Sequence, residues 1–354
     1  MKISPKRILY LDEVRSLAII LVVLGHLIRS FSHDFASWQI CCGVFSLTRI
    51  GVPLFFTVSG ALLLTRKHDI KQFLGKRFKR VVLPFAFWII VYLILGVLIW
   101  HYEPTLEYFY GVIFGSHDLS SLFWFIWSLI GVYLLIPVLS SFIREYGDFG
   151  SKYLIIITII LSLLYTVGFF DVQQIKYDFR IIFNFFPVLG YFIMGSYFHN
   201  HKFKYSDNRM FLIGIALFVV GIVGHFIKIY FKGLGGTGLV PVDFFDIFVV
   251  TETIGLFIAF KYANVKMISD KIKPIKEQTL GKIIVTFSSC SFGIYFSHYI
   301  IMLYLFDFGF MKWWGYKNLF IYFPLSAVII ISICWILIYV MSKIPILKVG
   351  SGVK

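Results

Sequence analysis

Charge is scarce in this chain. Asp, Glu, Lys and Arg make up 14% of its 354 residues, against roughly 25% in soluble domains, which argues against an ordinary water-covered globular surface. Acidic residues are scarcer still: 18 Asp and Glu stand against 33 Lys and Arg, a formal net charge of +15. Cysteine is rare too. Cys41, Cys42, Cys290 and Cys334 fall in or near apolar runs and show no metal-ligand spacing, as expected of small hydrophobes, so no metal is expected. Long soluble stretches, low-complexity tracts and clear internal repeats are missing. So is a removable signal: the first apolar run is too long, and no small-residue cleavage site follows it.

What is present is apolar: 59% of the residues are hydrophobic and the mean hydropathy is +0.86. The apolar runs recur along the whole length, each near the roughly 20 residues that cross a bilayer. They predict ten spans, about 9–31, 40–65, 81–100, 122–143, 152–170, 179–198, 210–231, 244–262, 283–306 and 319–341. The expected fold is an all-α integral membrane protein, a bundle of about ten transmembrane helices forming one domain over 1–354. Pro53, Pro84, Pro137 and Pro187 lie in or at the ends of spans, where they can kink a helix.

The basic residues alternate between the two sides of this layout. The segment between the second and third spans holds Arg66, Lys67, Lys71, Lys76, Arg77, Lys79 and Arg80, whereas 101–121 has no Lys or Arg. Lys202, Lys204 and Arg209, and then Lys261, Lys266, Lys271, Lys273, Lys276 and Lys282, recur on the side of the first cluster. By the positive-inside bias both termini are cytoplasmic. The excess charge is then a topology and anionic-lipid signal, and with no soluble domain to carry it, no nucleic-acid partner is expected.

One span carries more polarity than lipid tolerates. "LDEVRSLAIILVVLGHLI", Leu11–Ile28, contains Asp12, Glu13, Arg15 and His26. At 100° per residue, eleven steps return the helix to within about 20° of the same face, so Arg15 and His26 share a stripe about 16 Å apart along the axis. Asp12 and Val22 join that face. Arg15 could snorkel at the interface, and His26 could bond a neighbouring helix. Their pairing on one face favours a protein interior or a water-filled path. Gly25, beside His26, leaves room for a close neighbour.

These residues and four further stretches in order resemble membrane acyltransferase family 3, the O-acyltransferases of bacterial surface glycans. "LDEVRSLAIILVVLGH", with Arg, ten residues, then His, is similar to its first-helix signature. "GVPLFFTVSGALLL" (51–64) resembles its Phe-Phe-x-x-Ser-Gly segment, and "KRFKRVVLP" (76–84) its basic loop entering the third helix. "SFGIYFSHYIIM" (291–302) resembles its late Ser-x-x-x-Tyr-x-x-His helix, and "LFWFIWSLIGVYLLIP" (122–137) fits less specifically. Many members carry an additional esterase-like domain. This chain ends at Lys354, soon after the last span, and so resembles the stand-alone subgroup.

The resemblance implies transfer of an acyl group, acetyl foremost, from cytoplasmic acyl-CoA to a saccharide hydroxyl on a lipid carrier or cell surface, in the bacterial plasma membrane. Such a transfer needs a base near the hydroxyl, charge stabilisation for the oxyanion, and an anchor for the donor. A neutral imidazole suits the first task, which makes His26 the candidate base. Arg15 is too far from His26 to touch the same atom and suits donor phosphate or pantetheine groups. Lys76, Arg77, Lys79 and Arg80 suit the phosphates of acetyl-CoA, although positive-inside charge explains their sign equally well.

His298 runs to a depth comparable with His26 and is a second polar candidate, or else a helix–helix hydrogen bond. Glu252, mid-span in "VVTETIGLF", could orient His26, neutralise Arg15 or belong to a structural pair. Ser59 has no nucleophile elbow around it. His225 and Lys228, one turn apart, read best as interface residues. The rival to an enzyme is a glycan transporter or flippase component, with the same stripe lining a path. The sequence leaves the sugar and the oligomeric state open.

Overall fold

In lipid an apolar segment must close its own backbone hydrogen bonds, and a helix does so within one segment. The computed structural model describes residues 7–32, 35–167, 180–233, 244–263 and 279–353, and among them there is helix but no strand. In chain order these are α1 (Leu9–Leu27), α2 (Phe35–Thr48), α3 (Gly51–Leu63), α4 (Ile70–Arg77), α5 (Leu83–Trp100), α6 (Leu106–Phe114) and α7 (Trp124–Thr166). After them come α8 (Arg180–Asn200), α9 (Asp207–Gly233), α10 (Ile247–Ala263), α11 (Gly281–Asp307), α12 (Leu319–Met341) and the short α13 (Lys348–Ser351). Seven helical stretches among the described residues are long and apolar enough to cross a membrane. The chain is an all-α, multi-pass membrane protein. Helices α8 and α10 occupy the expected segments 179–198 and 244–262 without being among the seven. Lys266, Lys271, Lys273 and Lys276 lie outside the described residues.

The span expected over 40–65 is present as Ser37–Leu63, with a turn at Arg49–Ile50 between α2 and α3. One segment differs from expectation. The 66–80 segment, expected as a loop, is mostly helix. Asp69 caps α4 by accepting the Gln72 N–H at 2.7 Å. A π-helical turn over Phe78–Val82 then carries Lys79 and Arg80 into α5. Lys, Arg and Gln are good helix formers, so a capped basic stretch need not be irregular. The two spans expected at 122–143 and 152–170 meet at Gly147, whose φ of 55° and ψ of −134° suit glycine alone.

The chain divides into two compact units, residues 1–67 with 136–288, and 68–135 with 289–354. In the first, α1 packs on α3, α3 on α8, and α9 on α10. Small residues set these crossings: a side chain at Gly60 of α3 would collide with the Phe192 backbone, and one at Gly195 of α8 with the Thr57 backbone. Close backbone approach of this kind supplies van der Waals contact where lipid gives helices no hydrophobic drive to associate.

In the second unit, α5 turns Trp88 and Tyr92 inward and leaves Ile90, Ile94 and Leu98 exposed, an apolar face suited to lipid. The buried aromatics find polar partners. Trp88 Nε1 donates to the Gly350 carbonyl at 2.8 Å, Tyr92 Oη to Phe296 at 2.8 Å and Tyr295 Oη to Leu122 at 2.6 Å. Phe85, Phe123 and Phe296 fill the space around them.

Candidate active site

Helix α1 carries both Arg15 and His26 without interruption, so their spacing along the axis is the about 16 Å of eleven helical steps. Both are half-buried. Asp12, placed on their face by periodicity, has other business: Arg7 grips its carboxylate with Nε at 2.7 Å and Nη2 at 3.1 Å. Ser288 Oγ donates to the same carboxylate at 2.7 Å. Arg7 Nη2 also reaches the Val285 carbonyl at 3.2 Å, and Ser16 Oγ the Ile284 carbonyl at 3.4 Å. The polar start of α1 is thereby tied to the start of α11. Arg7 precedes the helix, so no periodicity within the helix could have placed it.

The interruption between α2 and α3 lies against the far end of α1. A side chain at Gly51 would fall 2.9 Å from the Ala18 carbonyl and the Val22 nitrogen, and one at Gly25 would press on Thr48 Oγ1 at 3.1 Å. Hydroxyls satisfy carbonyls just before the interruption: Ser46 Oγ donates to Gly43 at 2.8 Å and Thr48 Oγ1 to Phe45 at 3.1 Å. Beyond it the α3 ladder resumes, with Leu54 N donating to the Ile50 carbonyl at 2.9 Å. Arg49 is half-buried within the interruption. Its guanidinium lies 3.9 Å from the Phe244 ring centroid and 5.8 Å from that of Phe45; Arg29 lies over Phe45 at 5.2 Å.

Glu252 sits on α10 with its side chain fully buried, and Oε2 lies 3.4 Å from Nδ1 of the equally buried His225 on α9. Among the described residues Oε1 has no hydrogen-bond partner. One turn along α9, Lys228 pairs with the fully buried Asp246 and donates to the Thr166 carbonyl at 3.1 Å. Asp246 also accepts the Phe248 N–H at 3.0 Å at the start of α10. His225 and Lys228, expected at an interface, are instead held by interior carboxylates. The cost of an unpaired charge in an apolar setting explains why Lys228 is matched by Asp246. The available signal was a carboxylate in the neighbouring apolar segment.

The second unit holds the remaining candidates. His298 is fully buried, and its Nδ1 bonds carbonyls of its own helix, Tyr295 at 2.7 Å and Ile294 at 3.1 Å. That arrangement puts the proton of a neutral ring on Nδ1. Arg77 lies over Phe73 at 5.1 Å and Tyr133 at 5.3 Å. Lys76, Lys79 and Arg80 are exposed. Of the predicted residues, the first unit thus carries Arg15, His26 and Glu252. The second carries Lys76, Arg77, Lys79, Arg80 and His298.

A half-buried imidazole and a half-buried guanidinium on one helix face can accept a proton and bind an anionic group along one path. A family model described as an acyltransferase domain, that of the acyltransferase 3 family, matches residues 8–339. No curated protein and no solved structure matches.

Proposed function

Because the chain belongs to the acyltransferase 3 family, we propose that it moves an acetyl group from cytoplasmic acetyl-CoA to a saccharide hydroxyl, with His26 as general base. The supporting observation is the placement of a half-buried His26 on one continuous helix with Arg15, about three turns apart. His26 takes the hydroxyl proton as the oxygen attacks the thioester carbon. The C–S bond then breaks, and the imidazolium returns the proton to the departing thiolate. Arg15, nearer the start of α1, anchors pantetheine or phosphate groups. Arg77, its guanidinium set by two aromatic rings, and the exposed Arg80 engage donor phosphates, with Lys76 and Lys79 adding charge.

In this reading ten spans place both termini and α4 in the cytoplasm of a bacterial cell. Ser116 and Gly75 are both exposed. In sealed cells, cysteine at Ser116 should label from outside and cysteine at Gly75 should not; the opposite pattern rejects the topology. The activity itself is tested on purified protein in detergent, by thiol release from labelled acetyl-CoA and by label appearing in glycan from added membranes. Glycan movement without donor turnover would favour a transporter instead.

A further inference from the structure

The proposed reaction leaves one task without a residue: holding the charge that develops on the acyl carbonyl oxygen. Arg15 cannot do this for an atom beside His26, since the two stand about 16 Å apart along α1. We propose that Arg49, in the interruption between α2 and α3, binds that oxygen; this rests on His26 as the base.

The backbone at Arg49 lies beside the stretch of α1 that leads to His26. The interruption touches α1 on either side of it, through Gly51 against Ala18 and Val22, and through Thr48 against Gly25, the neighbour of His26. Arg49 is therefore bracketed by contacts within about two turns of the imidazole. It is half-buried, whereas Thr48 and Ile50 on either side are buried. A turn that breaks the helix within a membrane-crossing segment is tolerated where it is enclosed by protein or lines a cavity, and a cation at that depth favours such a setting over lipid.

Its surroundings hold the guanidinium in place. The Phe244 ring centroid lies 3.9 Å from the guanidinium carbon, a cation–π contact. His225 and Tyr191 lie within electrostatic reach. Tyr191 donates to the Phe244 carbonyl at 2.6 Å, which ties the backbone of Phe244 to α8. A fixed cation in a water-poor setting is worth more to a developing anion than the same cation in solvent.

The step balances. The acceptor oxygen bonds to the acyl carbon as its proton passes to His26, and the carbonyl electron pair moves to the oxygen held by Arg49. That pair then re-forms the carbonyl, the C–S bond breaks, and the thiolate takes the proton back from His26. Because Arg49 acts on charge that exists only during the step, its loss should lower kcat and leave the KM for acetyl-CoA largely alone.

The test is steady-state kinetics of the purified full-length protein with acetyl-CoA, using membranes from cells lacking the protein as the acceptor source. Arg49→Gln should lose about 10²–10³ in kcat, the usual cost of an oxyanion donor, with KM within about threefold. Arg49→Lys keeps the charge but not the planar fork and should lose about tenfold; it decides the matter if the glutamine variant does not fold. A kcat within about threefold of wild type in folded variants overturns the proposal, as does a raised KM at unchanged kcat. His26→Gln is run alongside. If it is inactive while the Arg49 variants turn over normally, only this assignment falls; if it is active, the underlying reading falls too.

Discussion

Arginine and lysine serve two different ends in the two units. In the first, Arg7 clasps the carboxylate of Asp12, and Lys228 pairs with Asp246 in surroundings with little water. In the second, Lys76, Lys79 and Arg80 stand exposed along α4 and the turn after it. The contrast shows that sign and count of charge say little by themselves. A cation matched one-to-one in an apolar interior is expensive to disturb, whereas an exposed row is screened by salt and replaceable one at a time. The first kind sets structure; the second is chemically suited to gathering anions.

The largest expected effect on stability follows from the buried pair. Asp246→Ala strands Lys228 in an apolar setting and removes the cap at the start of α10, so detergent-solubilised protein should lose about 3–5 kcal/mol. A denaturation midpoint unchanged from wild type would erase the contrast between the units. Next comes the basic row, with the half-buried Arg77 and the exposed Arg80. Arg77→Ala with Arg80→Ala should weaken coenzyme A binding about tenfold or more per lost phosphate contact, and binding to the wild type should weaken as salt rises. Unchanged affinity in equilibrium binding would return this helix to a topological role. Smallest is Ser288→Ala, which removes one bond to a carboxylate that keeps Arg7. It should cost about 1 kcal/mol, visible as a modest shift in thermal unfolding and no change in donor affinity.

Much of this arrangement was legible in advance because lipid imposes simple rules. Apolar length located the helices, and the eleven-residue spacing of Arg15 and His26 located a face. The polar break between 143 and 152 separated two spans, and Gly147 falls within it. The interruption at Arg49 was harder to see, since Thr48 and Ile50 continue an apolar pattern and Gly51 and Pro53 are each tolerated in a membrane helix. Pro53 in the first turn of α3 was the available cue. The pairing of His225 with Glu252 joins residues 27 apart on separate helices, and no helical period reaches across that gap. Helix α4 announced itself through Asp69 and Gln72, a capping pattern outweighed by the density of charge around it.

The central claim is that His26 accepts the hydroxyl proton, and the direct measurement is acetyl transfer by His26→Gln at saturating acetyl-CoA. An amide can keep a packing hydrogen bond but cannot take the proton. The account predicts a folded variant that still binds coenzyme A and whose transfer rate falls by at least about 10², the lower range of general-base catalysis. A variant that keeps more than about a tenth of wild-type transfer would contradict it.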